Sequence, residues 1–552
     1  MNRTIETSVL VVGAGPVGLT LATDLAWRDV DVTVAELRYA GEPPPAKRNQ
    51  VSARSMEIFR RLGIAGKLRE TGLPADYPND VVSATTMTGI ELARVAIPSR
   101  AERYTAAIGP DTWWPTPEPT HRVNQIYFEP LLFAHAASQP RIRILNRVVV
   151  EDFSQREAGV VATARNLDNG ERMSIASAYL VGCDGAKSTI RRAIGARLTG
   201  TSEVQRVQST YIRAPTLIGL LPGKRAWMYQ SLNPRRCGTT IAVDGRETWL
   251  IHNALYHGEA EFDAIDRDWA IRAILGVGSD FSYEVISKED WVGRRLIADR
   301  FYDQRVFICG DAAHLWIPSG GYGMNAGIAD AANLSWKIAA VLKGWAPPAI
   351  LDAYEAERKP ITEQASHFTT DVALKIRQQR CEVSDEIESP GTVGDAVRAR
   401  IGKEAYEIDV HNQCAGGLNF GYFYAGSPII AYDAEPHPPY TMRDFTSSTV
   451  PGCRLPHLWL NGGLSLYDKL GHGYTLIRAD PTVGISGIVE AAAQRELPLV
   501  VLDVAPDALA HYARKLVLVR PDQHVAWRGD NEPADPVELI DLVRGAQARH
   551  AA

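Results

Sequence analysis

Val306-Phe307-Ile308-Cys309-Gly310-Asp311-Ala312-Ala313-His314, followed by Pro318-Ser319-Gly320-Gly321-Tyr322-Gly323-Met324-Asn325-Ala326-Gly327 and an apolar stretch through Trp336, is the segment on which the reading of this chain turns. An apolar run ending in Gly-Asp predicts a buried strand that delivers one carboxylate at its tip. The glycines after it let backbone amides approach a ligand closely and open a helix whose N-terminus carries partial positive charge. The segment reads as a seat for an anionic group. A strand, a glycine turn and a helix also serve plain α/β packing, so two other stretches decide between these meanings.

The first is at the N-terminus. Residues 8–12 form an apolar strand, Gly13-Ala14-Gly15-Pro16-Val17-Gly18 a turn, residues 19–27 a helix, and residues 30–35 a second strand ending at Glu36. This is GxGxxG between strand and helix with an acid 18 residues after its last glycine, the layout of a dinucleotide-binding βαβ unit. The helix end takes a pyrophosphate and Glu36 accepts hydrogen bonds from a ribose. The second stretch is Leu180-Val181-Gly182-Cys183-Asp184-Gly185-Ala186-Lys187-Ser188-Thr189-Ile190-Arg191-Arg192, again a strand ending in acid and glycine before a helix. Between and around these lie segments that alternate as strands: residues 78–112 loosely, 141–176 as a meander, and 208–213, 227–230, 239–243 and 248–253 as a β-rich block with a helix near 263–275. The first domain is therefore discontinuous, with a β-sheet unit inserted into it.

Length and composition bound the function. A chain of 552 residues is too long for one core and predicts about three units. The 59 Lys+Arg against 65 Asp+Glu, net −6, give no nucleic-acid or membrane-binding surface. Six cysteines without CxxC or zinc spacing fit free thiols in a reducing compartment and no metal site. The residues 9–12 are interrupted at once by glycine, so no signal peptide is expected, and a cytoplasmic location is.

The three motifs in this order resemble the class A FAD-dependent aromatic hydroxylases of the para-hydroxybenzoate hydroxylase fold. They come closest to the phenol hydroxylase and 3-hydroxyphenylpropionate hydroxylase branch, which carries a C-terminal thioredoxin-like domain. The resemblance covers roughly residues 5–375. It implies an α/β protein: a discontinuous Rossmann-like FAD-binding domain (1–78, 113–200, 291–380), an inserted β-sheet substrate domain (79–112, 201–290), a linker and helical segment (381–440), and a thioredoxin-like domain without CxxC (441–552). Cys453 stands alone there, which implies packing or a dimer contact rather than thiol chemistry.

By the same resemblance Gly13, Gly15, Pro16, Gly18, Glu36 and the adjacent Leu37 hold the ADP half of FAD. Lys47 or Arg48, with Arg54, stands at the pyrophosphate, and Asp311 bonds the ribityl chain. Gln125 lies near the ring, and the stretch Pro318, Gly321, Gly323, Met324 and Asn325 presents a helix end to the flavin edge. Asp184 bridges FAD and the docking region of NADH or NADPH, supported by Arg191. No second GxGxxG follows, so the nicotinamide cofactor binds transiently. Tyr322 replaces a common glutamine and alters the pocket wall.

The implied reaction is hydroxylation of a small aromatic, phenolic substrate with NAD(P)H and O2 through a flavin C4a-hydroperoxide. Baeyer-Villiger oxygenation, epoxidation and a non-oxygenating flavin protein are the alternatives. Such chemistry needs a dry wall and one polar group at the phenol oxygen. Trp113, Trp114, Trp227 and Tyr229 are candidates for the wall, and Tyr229, Tyr211, His252 and Asn49 for the polar contact. Tyr229 is placed first, and His314 is expected to pack rather than titrate. A homodimer is compatible with this reading.

Overall fold

The computed structural model describes residues 3–47, 50–256, 258–259, 261–505 and 509–547. Strand Arg3–Val12, helix Pro16–Trp27 and strand Val32–Glu36 form the N-terminal βαβ unit. Pro16 occupies the first helical turn, where its missing N–H has no partner to lose. Arg3–Val12 runs parallel to Val32–Glu36 on one side and to Arg172–Gly182 on the other, with Ile142–Asn146 and Val306–Ile308 outside them. Strands covered on both faces read as unbroken apolar runs, and Val9, Leu10, Val11, Val306, Phe307 and Ile308 are completely buried.

Register brings the three motifs together. Val12 pairs with Gly182, and Gly182 with Ile308. Gly13, Cys183 and Cys309 therefore leave the sheet side by side at the carboxyl ends of neighbouring parallel strands, where α/β folds bind ligands.

The second sheet has eight strands in the order His314–Leu315, Glu284–Ala298, Leu198–Arg213, Thr248–Ala254, Gly238–Ala242, Met228–Ser231, Val81–Ala84 and Glu91–Val95. Two of the expected boundaries cut through strands. Position 200/201 lies inside strand Leu198–Arg213, and 290/291 inside Glu284–Ala298. These two strands pair along nearly their whole lengths, so the inserted sheet grows continuously out of the first unit. Residues 381–440, expected as a linker and helical segment, contain a long helix. Helix Gly391–Gln413 packs on the sheet edge, where Ser83 Oγ donates to Asp409 Oδ2 at 2.9 Å and Gly402 lies against the Leu92 backbone.

The C-terminal sheet has the order Leu499–Asp503, Tyr474–Arg478, Leu516–Val519, Val525–Gly529, with the first pair parallel and the others antiparallel. Helices Ser486–Gln494 and Pro536–Val543 accompany it. It is joined to the first unit by buried charge. Arg520 contacts Glu357 through two bonds of 2.6 and 2.8 Å, Lys337 Nζ reaches Glu357 at 2.9 Å, and Arg520 also holds Asp522 at 2.7 Å. These four side chains are at most 3% exposed. Cys453 is buried and free. Among the described residues no helix is long and apolar enough to cross a membrane.

Candidate functional site

The carboxyl ends of the parallel strands face the inner side of the eight-stranded sheet across a cavity of about 600 Å³. One end is built of backbone. A Cβ on Gly13 would meet Cys183 O at 2.4 Å and one on Gly18 would meet Gly13 O at 2.0 Å, so these two glycines let the turn close. Gly15 differs: a Cβ there meets nothing within 4 Å, because its α-carbon faces the cavity. Gly15 caps helix Pro16–Trp27 and Gly321, at φ 73°, caps helix Tyr322–Leu342, both without a side-chain cap. Two helix N-termini with uncapped amides thus open beside one cavity, each a seat for negative charge.

Side chains complete this end. Asp311 is open to the cavity it lines, and desolvation by the surrounding protein raises its pKa above the usual carboxylate value, with the charges of His314 and Lys47 opposing that rise. Its loop is braced from behind: Asp330 accepts from Gly310 N at 3.2 Å and from His314 Nε2 at 2.7 Å, and receives Arg358 Nε at 2.7 Å. Burial opposes ionisation of Asp330, but Arg358 and His314 outweigh it and hold its pKa at about 2. His314 is therefore a brace. Arg191 donates to Ala312 O and Ala186 O, both at 3.0 Å, and so clamps two of the motif loops together. Asp184 Oδ2 accepts from Thr189 N at 2.7 Å, while its buried Oδ1 has no partner among the described residues. Gln50 lines the cavity with a buried, unpartnered Nε2. This donor set fits FAD: uncapped amides for a pyrophosphate, Asp311 and Gln50 for hydroxyls and ring edges, and a glycine without a side chain where a large group must come close.

Of the expected cofactor contacts, Gly15, Pro16, Lys47, Gln125, Asp311, Pro318, Gly321, Gly323 and Met324 line the cavity. Lys47 Nζ lies 3.9 Å from Glu289, and Gln125 Nε2 3.1 Å from Met324 Sδ. Glu36 accepts from Ala14 N and Arg38 at the far side of the glycine turn, with Leu37 exposed beside it. Two expectations, for Arg54 and Tyr322, are corrected. Arg54 is buried away from the cavity, paired to Glu57 at 2.9 Å and donating to Asp522 O at 2.7 Å, so it ties the first unit to the C-terminal one. The Asn325 side chain is taken up by Ser52 N, Gln50 O and Gly321 O, which leaves to its backbone the expected part in the helix end. Tyr322 is buried against Asn419 and is no part of the cavity wall. Arg48 and Asn49 lie outside the described residues.

The substrate side differs more. On strand Met228–Ser231 the pleat turns Gln230 to the cavity and Tyr229 to the opposite face. The Tyr229 hydroxyl accepts from Ala226 N at 2.8 Å in the core, and burial pushes its pKa up to about 12. Tyr229→Phe is accordingly expected to leave oxygenation unchanged and to cost about 1–3 kcal/mol of stability by stranding the Ala226 amide. Denaturant unfolding and turnover of the same preparation check both parts. Tyr211 shares the strand face of Ser209 but lies past the wall, two pairs beyond Ser209 and His252. Trp113 is exposed, Trp114 packs edge-on to Phe420, and Trp227 lies 4.1 Å from the Arg122 guanidinium; none lines the cavity. His252 does, with Nδ1 2.6 Å from Ser209 Oγ, which accepts from Trp291 Nε1 at 2.8 Å.

The residues that sequence reasoning missed are Trp291 and Trp316, which supply the aromatic wall, and Gln230, Thr239 and Arg380, which supply its polar end. A signal existed for Arg380: Ala373, Ile376 and Arg380 recur at helical spacing along one cavity-facing stripe, and a cation on such a stripe stands out.

A family model described as an FAD binding domain matches residues 6–369, and one described as the C-terminal part of aromatic-ring hydroxylases matches 448–546. An FAD-dependent monooxygenase of Emericella nidulans is 31% identical, covering 98% of this chain and 91% of its own. The structure of the rebeccamycin biosynthetic enzyme RebC with reduced flavin superposes with a TM-score of 0.90 at 34% identity, covering 99% of this chain and all of that one. Aklavinone-11 hydroxylase in complex with FAD and aklavinone gives 0.79 at 27% identity over 98% and 99% of the two chains. With the strand-end cradle, the uncapped helix termini and these likenesses together, the chain belongs to the FAD-dependent aromatic-ring hydroxylases, flavoprotein monooxygenases that use NAD(P)H and O2.

Proposed function

We propose that this monooxygenase hydroxylates a polycyclic phenol held on the inner face of the eight-stranded sheet. One observation carries the reading. A single cavity is walled at one end by Gly15, Asp311 and Gly323 and at the other by Thr239 and Gln230. Those two residues stand on the fourth and fifth strands from His314–Leu315, roughly 19–24 Å across the sheet at about 4.8 Å per strand. Such a length accommodates several fused rings beside a flavin. The aklavinone complex of a relative of the same fold supports that size class.

FAD, when bound, supplies the centre that accepts hydride and activates oxygen. The remaining work falls to this chain. The amides at the starts of helices Pro16–Trp27 and Tyr322–Leu342 receive negative charge, and Asp311 takes a cofactor hydroxyl. Trp291, Trp316, Val207 and Ile241 exclude water. His252, oriented by Ser209, is the imidazole placed to exchange a proton with a phenol oxygen. The segments 1–78, 113–200 and 291–380 serve as the cofactor-binding unit, and the C-terminal sheet order supports a thioredoxin-like unit that braces it. Balanced charge and scattered thiols support a cytoplasmic location.

Anaerobic reduction of the flavin by NADH and by NADPH, with and without mono- and polycyclic phenols, tests the reading. A polycyclic phenol is expected to accelerate reduction most, and on admitting oxygen its product gains a ring hydroxyl visible by NMR. Rapid NAD(P)H consumption with no oxygenated product overturns it.

A further inference from the structure

We infer that the substrate carries a carboxylate, and that Arg380 is the residue that reads it. Resting on the hydroxylase reading, the inference names the substrate class of the same site. Arg380 reaches the cavity from the last turn of helix Ala353–Cys381. Its Nη2 donates to Gln230 Oε1 at 2.8 Å and to Thr239 Oγ1 at 2.7 Å, and Thr239 Oγ1 donates to Gln230 Oε1 at 2.7 Å. Its Nε is buried without a partner, and among the described residues the guanidinium is held by Gln230 and Thr239 and by no carboxylate.

The other described charged residues that line the cavity are Lys47, Glu129, Glu289, Arg294 and Asp311. Lys47 faces Glu289 at 3.9 Å, Glu129 is held by Arg38 at 3.0 Å, and Arg294 is exposed at the rim. Asp311 belongs to the cofactor end. Among the described residues, the cation at the far end of the sheet is Arg380, held in place by two neutral groups and offering unused donors in a planar fork. Several other buried arginines are paired with acids, Arg358 with Asp330, Arg520 with Glu357 and Asp522, and Arg236 with Glu259, whereas Arg122 and Arg191, which do not line the cavity, are held by the Gln50 amide and by backbone carbonyls. A guanidinium left with neutral partners at the wall of a binding cavity is complementary to an arriving anion, and its fork matches a carboxylate. Gln230 and Thr239 would keep the fork oriented, acting as positioning residues. A carboxylate anchored there leaves the opposite edge of a fused ring system directed toward the Asp311 end, which fixes the ring position presented for hydroxylation.

The test uses the FAD-loaded enzyme and a matched pair of ligands, a hydroxyanthraquinone and its carboxylated counterpart, with binding followed by the change in the flavin absorption band. The carboxylated compound is expected to bind the native enzyme at least about tenfold more tightly, the factor that one charge-assisted hydrogen-bond pair provides. Arg380→Met should bring that ratio to about one, and Arg380→Lys should restore part of it. Gln230→Glu keeps the side-chain volume but supplies an internal counter-ion, and should also abolish the preference. Equal binding of the two compounds by the native enzyme overturns the inference, as does a preference that survives both Arg380→Met and Gln230→Glu. Hydroxylation of the uncarboxylated compound in that case would show that the carboxylate assignment has failed while the hydroxylase reading stands.

Discussion

Gly15→Ala is expected to yield a protein as stable as the parent in its FAD-free form but with an FAD dissociation constant raised at least about tenfold, a loss of about 1.4 kcal/mol or more. Gly18→Ala, the same change three residues on, is expected to cost about 1–3 kcal/mol of stability in the FAD-free protein as well. The difference lies in what each methyl meets. At Gly15 the backbone is extended, at φ −75° and ψ −177°, and the new Cβ finds no protein atom within 4 Å, only the space beside the helix amides. At Gly18 it lands 2.0 Å from Gly13 O and must push helix Pro16–Trp27 off the turn. Denaturant unfolding of the FAD-free variants and flavin fluorescence titration separate the two effects. If Gly15→Ala keeps full FAD affinity, the pyrophosphate is not seated there.

Glu357→Ala is expected to destabilise the protein by roughly 3–5 kcal/mol, the cost of removing one member of a buried charge cluster and leaving the others unpaired. Glu357 accepts from Arg520 on the C-terminal hairpin, from Lys337 and Asn333 on helix Tyr322–Leu342, and from Ser427 Oγ at 2.6 Å. Burial opposes its ionisation, but Arg520 and Lys337 outweigh that and hold the carboxyl at about 2, below the ordinary 4.5. A depressed folded-state value means that the contribution is complete above about pH 4.5 and is lost as the pH falls toward and through about 2. The native protein should therefore lose stability across that window more steeply than Glu357→Ala does, which urea midpoints at about pH 5 and about pH 3 would reveal. The cluster is reached by the helix that starts at the cofactor end, so the variant should also release FAD at a lower urea concentration.

The sequence by itself determined the cofactor half of this protein. A GxGxxG turn, an Asp-Gly after an apolar strand and a Gly-Asp before a glycine-opened helix are local devices. Each needs particular residue types at fixed spacing to shape one turn or one helix end, so the requirement is written in consecutive residues. The strands of the inserted sheet and of the C-terminal unit were legible for a similar reason, since their apolar alternation is also local. Which side chains line the substrate end was decided only by the tertiary structure. Tyr229 and Gln230 are neighbours in sequence and both suit a strand. Only the register of Met228–Ser231 between Val81–Ala84 and Gly238–Ala242 turns the amide to the cavity and the phenol to the core. Arg54 is a cation in a loop-to-helix segment near the cofactor motif, yet docking of the hairpin that carries Asp522 and Gln523 takes it out of reach. Arg380 and Thr239 are 141 residues apart and meet because helix Ala353–Cys381 crosses the sheet. Their joint meaning, a cation held ready by neutral partners, is a property of contacts between distant segments, and no window of the sequence contains it.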